Sequence, residues 1–574
     1  MQAQIDALYA ENGGVSPANN GHWSVRRAAL LFHPGVYSSI EVPVGYYTQV
    51  LGLGASPSNT SFTYRRGVFA EGGAKDPLVG ALNTFWRGAE NLQINVSHAW
   101  EKHHRGALWA VSQAAPLRRV TVVGDLKLSP VGGGRASGGF MADVTITGKV
   151  IPGSQQQFFV RNSAIGQGWQ GGVWNNVFVG MLGSPPSRCS TPKNKKGPPT
   201  VKVEDTPLAS EKPFLAIEGD RYKLKVPALH RNSKGPNSGR LEKSIDFDQV
   251  FVASPASLDP AQEINSALGR GLHVVVGPGI YSLSGPLLLQ HDGQVLLGLG
   301  LATLISANGT AVIEVPGHLS GCRVGGFLLQ AGPHKSPSLL QVGGSAVASG
   351  EEAPRNESGS SSEPTFLYDI FARVGGPECR GMSVDVMVKI ESGNVVADNF
   401  WLWRADHCRA GEAGGDKAEA FGSEAWVKGG DNPVETGVLV GRSAHNVVAY
   451  AMAVEHTLGD LLVWNGERGR LYFYQAELPY DVTQETFGSK GYVGYRVGSH
   501  VTEHKAYGVG VYCFFRDYGV LVHTGISAPS ALVKSFVSPF IVFLTGHPSS
   551  GIGHVINEKG GSTFGKHSVA KLCS

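Results

Sequence analysis

The chain has 574 residues, of which 42% are hydrophobic and 17% charged, with 49 Lys and Arg against 46 Asp and Glu. This length exceeds what one compact core accommodates, and the composition is that of a globular protein, so we expect at least two domains rather than a disordered chain. A net charge of +3 without a basic stripe excludes an electrostatic nucleic-acid surface, and no apolar run reaches the roughly 18 residues that span a membrane. We therefore expect no nucleic acid and no membrane as partners.

The first predicted element is a short amphipathic helix in MQAQIDALYAENGG, through Ile5, Leu8 and Tyr9. This stretch lacks the basic-then-apolar profile of a signal peptide. Beyond it, short apolar runs alternate with GG, PG and NG pairs, and glycine reaches 78 residues. Such punctuation is typical of many short strands joined by tight turns. The sequence predicts an all-β protein.

A long-range repeat predicts two equivalent halves. Residues 28–54 and 272–300 each contain an apolar strand, a Pro-Gly-x-Tyr turn and a second strand that ends in Leu-Gly-Leu-Gly. Strands without intervening helices can form a sandwich, a propeller or a solenoid. The strands ending at Glu455 and Glu477 recur after about 22 residues, which is typical of one coil of a parallel β-helix. We predict two tandem right-handed parallel β-helices, with an all-β sandwich as the alternative.

Composition also suggests the boundaries of these halves. Residues 1–190 are expected to form the N-terminal β-helix, and residues 246–574 the C-terminal β-helix, which contains Glu455 and Glu477. Residues 191–245 are rich in Pro, Lys, Ser and Gly, which predicts a linker with one short ordered patch. Two further polar stretches, 345–364 and 408–426, predict a surface loop and a rim or lid beside the active site.

In the first half, GSQQQFFVRNS places Gln155 and Gln157 on one face of a strand, two residues apart. Two neighbouring amides can orient a water molecule or sugar hydroxyls, or they can form an inert amide ladder along the solenoid. Six cysteines are too few for a disulfide scaffold, although Cys379 and Cys408 can pair. Their spacing matches no zinc motif, and we expect no metal and no other cofactor.

The second half contains a carboxylate pair. In residues 445–481 the strand alternation predicts that Tyr450, Met452 and Val454 point inward and that Glu455 points outward. Glu477 ends the next strand, and stacked strands lie about 4.8 Å apart, so the two glutamates should be neighbours. One pKa of such a pair rises, which suits a general acid for glycosidic cleavage. The alternative is two ordinary surface glutamates.

Aromatic side chains are dense around this pair and can stack on sugar rings. The predicted substrate-binding residues are Trp403, Trp464, Phe473, Tyr474, Tyr480 and His504. Glu503 and His504 follow Glu477 after about one further coil.

Several of these stretches resemble family 55 of the glycoside hydrolases, the twin β-helix β-1,3-glucanases. They include FHPGVY, VGYYTQVLGLG, GSQQQFF, GVWNNVFVG and VEHTLGDLLVWNGERGRLYFYQAELPYD, and they span nearly the whole chain. The resemblance implies that Glu477 is the general acid and Glu455 its partner carboxylate. It also implies that Gln155 and Gln157 position the nucleophilic water. Val179 stands where this resemblance leads us to expect a serine.

The resemblance further implies exo-acting, inverting cleavage of β-1,3-glucan in a cleft between the two domains, by a monomer in the extracellular space or secretory pathway. Two other classes stay open. A pectate-type lyase or polygalacturonase-type hydrolase shares the fold, but the chain shows no acidic cluster for Ca²⁺ and its paired carboxylates are glutamates rather than aspartates. A non-catalytic glucan-binding protein on the same scaffold is the other alternative.

Overall fold

The computed structural model describes residues 1–13, 21–72, 80–189, 199–237, 239–344, 359–409 and 424–573. Most of the stretches 345–364 and 408–426 lies outside these residues, so the expected surface loop and rim stay predictions. None of the helices in the described ranges combines the length and the apolarity needed to cross a membrane.

Two α-helices cover the beginnings of the two halves. Helix α1, Gln2–Asn12, buries Ile5 and Leu8 and confirms the predicted N-terminal helix. Helix α2, Pro260–Gly269, was not predicted; Asp259 caps it by accepting a hydrogen bond from the backbone N–H of Gln262. Both helices lay their apolar sides on the first strands of a solenoid, which would otherwise expose its core.

The first half consists of short strands. They are β1 Ala28–Phe32, β2 Gly35–Tyr37, β3 Val42–Pro43, β4 Thr48–Gly52, β5 Thr60–Phe62, β6 Val68–Phe69, β7 Arg87–Asn95, β8 Ala99–Glu101, β9 His104–Leu108, β10 Leu117–Val123, β11 Asp125–Lys127, β12 Phe140–Ala142, β13 Thr145–Ile146, β14 Val150–Gly153, β15 Gln157–Arg161, β16 Ala164–Ile165, β17 Trp169–Gly171, β18 Asn175–Val179 and β19 Thr200–Val203. The strands along β1-β4-β7-β10-β12-β15-β18-β19 pair in parallel. A smaller sheet in the order β17-β14-β11-β9-β8 forms another side of this solenoid.

The segment expected as a linker holds strands in the predicted ordered patch and also beyond it, among the described residues between 199 and 245. Strand β19 extends the sheet of the first half. The others are β20 Thr206–Ala209, β21 Phe214–Glu218, β22 Arg221–Pro227, β23 His230–Ser233 and β24 Leu241–Asp246. They form two small antiparallel sheets. The polar composition hides these strands because the segment also buries charged side chains: Glu211 and Lys212, in the connection between β20 and β21, form buried ion pairs.

The second half repeats the design of the first. Its strands are β25 Val250–Ala253, β26 His273–Val276, β27 Ile280–Leu283, β28 Leu287–Leu288, β29 Val295–Ser306, β30 Ile313–Val315, β31 Arg323–Gln330, β32 Ser336–Val342, β33 Thr365–Val374, β34 Val384–Ile390, β35 Val395–Arg404, β36 His407–Arg409, β37 Glu424–Trp426, β38 Val434–Val440, β39 Val448–Glu455, β40 Leu462–Trp464, β41 Gly469–Glu477, β42 Tyr495–Val497, β43 His504–Cys513, β44 Leu521–Ser527, β45 Phe536–Val537, β46 Phe540–Phe543, β47 Gly551–Ile556, β48 Thr563–Phe564 and β49 Ser568–Lys571. A 13-stranded and a 10-stranded sheet, parallel except for their last pairs, enclose one apolar core. The predicted tandem β-helices are confirmed, and the sandwich alternative is excluded.

A column of left-handed residues bends the long strands of the second half. Asp369, Asn399, Ala451, Phe473 and Gly508 have φ of 47°, 71°, 51°, 68° and 60° and stack in successive coils. Each reverses the inside–outside alternation of its strand, because a left-handed residue interrupts the pleat.

The bend corrects one prediction and confirms another. Tyr450, which precedes the bend in β39, faces the first half rather than the core, as does Tyr472 in β41. Met452 and Val454 follow the bend and lie in the core, as predicted.

Two disulfides join distant parts of the chain. Cys379 and Cys408 are bonded, which confirms the pairing that the sequence allowed. Cys189 and Cys573 form a second bridge across a separation of 384 residues. This bridge could not be predicted, because no local pattern relates the end of the first half to the end of the chain.

The two solenoids meet over apolar clusters and a buried ionic network. Three cations and four carboxylates take part, namely Arg118, Arg161, Lys212, Glu90, Glu211, Asp369 and Asp398. Arg118, from the first half, bonds both oxygens of Asp369 and Oδ2 of Asp398 over 2.8–3.1 Å. Burial alone would raise the pKa of Asp369, but Arg118 and Lys212 hold it at about 2. These contacts fix how the two halves face each other.

Candidate functional site

Four functional side chains form one column on the face of the second solenoid that meets the first. Strand register places Trp403 of β35 beside Glu455 of β39, Glu455 beside Glu477 of β41, and Glu477 beside Tyr512 of β43. The predicted neighbouring of the two glutamates is therefore confirmed. Their face is not an open surface, because the other half of the molecule covers it, so the alternative of ordinary surface glutamates is wrong.

Burial gives this carboxylate pair a high affinity for protons. An oxygen of Glu455 and an oxygen of Glu477 lie within 4.8 Å of each other. Burial, with a smaller contribution from the Asp406 carboxylate, raises the pKa of Glu477 to about 7, although the hydrogen bond from Tyr480 opposes the shift. Burial, together with the nearby Glu477 carboxylate, raises the pKa of Glu455 well above its ordinary range. The site therefore holds a carboxylic acid that keeps its proton near neutral pH.

Two amides hold Glu455. The Nε2 groups of Gln113 and Gln475 each donate to Oε1 of Glu455 over 2.9 Å. Gln113 also donates to Oε1 of Gln475 over 2.9 Å, and its own Oε1 accepts from Ser112. Glu455 is only 4% exposed as a result. Gln113 could not be predicted from the sequence, because it lies in the loop between β9 and β10, 342 residues from Glu455, and no local pattern connects the two.

Glu477 is more accessible than Glu455. It is partly exposed at the end of β41, and its Oε1 accepts a short hydrogen bond from the hydroxyl of Tyr480. The Tyr480 ring packs edge-on against His456, with ring centroids 4.3 Å apart. Burial lowers the pKa of His456 to about 4, so this imidazole is neutral at neutral pH and adds no cation beside the acid. Because its hydroxyl bonds Glu477, Tyr480 lies at the predicted site.

Asp406 supplies the negative charge behind the pair. Its Oδ1 accepts hydrogen bonds from Nδ1 of His407 over 2.9 Å and from Nε1 of Trp403 over 3.1 Å. Burial would raise the pKa of Asp406, but the His407 imidazole more than offsets it, and the pKa lies below its ordinary range. Trp403 thus orients a permanently charged carboxylate and stacks on Trp401, whose centroid lies 6.0 Å away.

The two predicted glutamines take different positions. Oε1 of Gln157 accepts from the hydroxyl of Tyr512 over 2.6 Å, which brings Gln157 from the first half to the neighbour of Glu477. Its Nε2 is buried without a hydrogen-bond partner among the described residues. Nε2 of Gln155 instead donates to the carbonyls of Val111 and Leu128 inside the first solenoid. For Gln155 the observed bonds match the structural alternative of a solenoid amide, because both its donors are engaged by neighbouring coils.

Val179 does not lie beside the carboxylates. It is fully buried in an apolar cluster between the solenoids, with Phe159 and Tyr450. Register places Val179 beside Arg161, and the polar residue beside Gln157 in the same strand is Asn175. The serine expected at position 179 therefore has no place in water positioning here, because the strand carries position 179 four residues beyond the site.

Three predicted substrate-binding residues are buried in the second solenoid. Trp464 and Tyr474 belong to its apolar core, and the Tyr474 hydroxyl donates to the carbonyl of Gly494. His504 bonds the Tyr495 hydroxyl over 2.5 Å and pairs with Gly469, not with Glu477. The prediction for His504 assumed that every coil has the same length. The connection between β41 and β43 is longer than that between β39 and β41, so Tyr512 rather than His504 lies beside Glu477.

Phe473 packs in the apolar cluster between the solenoids. It faces outward from the second solenoid but contacts protein rather than the open cleft that its predicted role in substrate binding requires.

Known proteins are similar to this chain over nearly its whole length. Residues 250–477 match the LAM55 pectate lyase-like domain. An exo-beta-1,3-glucanase of Streptomyces sp. SirexAA-E is 36% identical over 577 residues, covering 99% of this chain and 86% of that protein. The solved structure of sacteLam55A from the same organism superposes with a TM-score of 0.83 at 34% identity, covering 100% of this chain and 96% of that one. A variant of sacteLam55A in complex with glucose superposes equally well, with 95% of its chain covered.

Proposed function

Because this chain belongs to family 55 of the glycoside hydrolases and is an exo-β-1,3-glucanase, we propose that it cleaves its substrate with inversion and that Glu477 is the general acid. Membership of the family excludes the lyase, polygalacturonase and non-catalytic alternatives. The observation that carries the assignment is the pair of buried carboxyls, of which only Glu477 reaches partly exposed surface.

Glu477 suits the role of acid by its pKa and its position. At a pKa of about 7 it holds a proton through most of the acidic and neutral range and can deliver it to the glycosidic oxygen. Tyr480 fixes the orientation of the carboxyl, and Glu455 lies on the next coil. The charge of Glu477 helps burial to raise the pKa of Glu455 well above its ordinary range, so Glu455 keeps its own proton when Glu477 gives up its proton.

We infer inversion because Glu455 cannot reach the sugar as a nucleophile. A retaining enzyme needs its second carboxylate as a nucleophile on the sugar, but two amides hold Glu455 and leave it 4% exposed. The separation within 4.8 Å is also too short to place a water between the two carboxyls, which needs about 6.5–9.5 Å. The attacking water therefore lies elsewhere. The buried Nε2 of Gln157, with its carbonyl oxygen held by Tyr512, is the donor we propose to bind this water, which loses a proton to solvent as its oxygen bonds the anomeric carbon and the glycosidic bond breaks.

Proton NMR of a fresh digest of laminarin tests this mechanism. Inversion at a β-linkage releases the α-anomer, so α-glucose should appear first and then mutarotate. If the β-anomer appears first, the nucleophile is a protein group, and the roles given to Glu455 and Gln157 are wrong.

Tyr480→Phe is expected to move the alkaline limb of the pH profile of kcat/KM to higher pH. The Tyr480 hydrogen bond stabilises the charged form of Glu477 and so lowers its pKa. Without the hydroxyl, the pKa rises above about 7, and the acid stays protonated to higher pH. The pH dependence of laminarin hydrolysis is the measurement. Tyr518→Phe, at an exposed tyrosine, is the control and should leave the profile unchanged. An unmoved or lowered limb in Tyr480→Phe would exclude Glu477 as the titrating acid.

We further propose that the protein acts as a monomer in the extracellular space or secretory pathway on a β-1,3-glucan. Two disulfides support an oxidising compartment. Thiol titration of the unfolded protein, isolated from its native source, should find only the two free thiols of Cys322 and Cys513. Light scattering should give the mass of one 60.7 kDa chain.

A further inference from the structure

Two histidines and one glutamate lie close together on the second solenoid, away from the active site. They are His523 of β44, His554 of β47 and Glu558 in the turn after β47. One donor atom from each lies within 4.8 Å of the other two. Nε2 of His523 is 2.6 Å from Oε1 of Glu558, and Nε2 of His554 is 3.4 Å from Oε2. Both imidazoles therefore already direct their Nε2 atoms toward one carboxylate.

Strand pairing and hydrogen bonds hold the backbone that carries these donors. Strands β44 and β47 are paired in parallel from Leu521 to Ile526. The turn that presents Glu558 closes with a bridge between Ile556 and Lys559. The side chain of Asn557, next to Glu558, accepts from the backbone N–H of Ala528 over 3.0 Å and donates to its carbonyl over 2.8 Å. The turn is thus fastened to the preceding coil, so little ordering is needed to bring the three donors together.

We propose that His523, His554 and Glu558 bind a divalent transition-metal ion of the Zn²⁺ class. Two imidazoles and one carboxylate are donors that Zn²⁺ accepts, and hard cations such as Mg²⁺ and Ca²⁺ prefer oxygen ligands alone. All three residues are at least partly solvent-accessible, so an ion can enter and a water can complete its coordination. Because His523 and His554 lie on successive strands, a bound ion links the last parallel coils of the second solenoid.

This site is separate from catalysis. The three residues belong to the 10-stranded sheet or its final turn, whereas Glu455 and Glu477 lie in the 13-stranded sheet. The expected consequence of metal binding is a higher unfolding temperature, because a ligand that binds only the folded state stabilises it by mass action.

Calorimetric titration with ZnCl₂ after removal of metal by EDTA tests the proposal, with wild type, His523→Ala, His554→Ala and His318→Ala compared. His318 is exposed and lies outside the cluster, so its variant is the matched control. Wild type and His318→Ala should each bind one equivalent of Zn²⁺. His523→Ala and His554→Ala should bind that Zn²⁺ at least roughly tenfold more weakly. The same equivalent should raise the melting temperature only in the first two proteins.

Equal Zn²⁺ affinity in all four proteins would overturn the proposal and show that any bound zinc lies elsewhere, for example near Glu455, His456 and Glu477. The absence of zinc binding in wild type would overturn it as well. Far-UV circular dichroism should be the same for all variants, because the replaced side chains lie at the surface and leave the strand pairing intact.

Discussion

Glu477→Gln is expected to lower the rate of β-1,3-glucan hydrolysis by roughly 100- to 10,000-fold, the contribution typical of a general acid. An amide cannot donate a proton to the leaving oxygen, yet it has nearly the volume of the carboxylic acid and can still accept the Tyr480 hydrogen bond through its carbonyl. The measurement is the initial rate of reducing-sugar release from laminarin. Because Glu477 is only partly buried and adjoins Glu455, the variant should unfold at a temperature close to that of wild type.

Glu503→Gln is the matched control for this variant. Glu503 is exposed and precedes β43, the strand next to that of Glu477, so it experiences the same change of charge without contact with the acid. Its activity should equal that of wild type. A Glu477→Gln protein that hydrolyses laminarin at the wild-type rate would show that another group protonates the leaving oxygen.

Arg118→Met is expected to lower the free energy of unfolding by about 3–5 kcal/mol, because it leaves buried carboxylates without their cation. Arg118 lies fully buried between the solenoids and bonds Asp369 and Asp398 of the second half. Without it, two cations face the four carboxylates of the network, and the pKa of Asp369 should rise. Chemical denaturation followed by tryptophan fluorescence measures the loss.

Arg105→Met provides the comparison, since Arg105 is an exposed arginine of the same solenoid. Its stability should stay within about 0.5 kcal/mol of wild type, as is usual for surface substitutions. If Arg118→Met is equally stable, the network contributes nothing net to the docking of the two halves, and the apolar clusters alone hold them together.

The sequence by itself determined the architecture and the identity of the carboxylate pair. The repeated Pro-Gly-x-Tyr openings and the spacing of short strands specify stacked parallel coils, because side-chain alternation and turn residues act locally along the chain. The same spacing places Glu455 and Glu477 on adjacent coils, as observed. It also allowed Cys379 to pair with Cys408, whose separation is only 29 residues.

Only the tertiary structure decided what surrounds that pair. Gln113 and Gln157 belong to the first half and bond Glu455 and Tyr512 of the second half. No local sequence pattern predicts these contacts between distant residues. The left-handed residues of each coil turn Tyr450 out of the core, which a simple alternation cannot foresee.

Burial of the pair is likewise a property of the docked halves rather than of either strand. The raised pKa of Glu477 depends on this burial, because removal of water from around a carboxylate disfavours its charged form. The local spacing of strands therefore predicts which two glutamates are neighbours, whereas the contact between the two solenoids buries them and raises their pKa values.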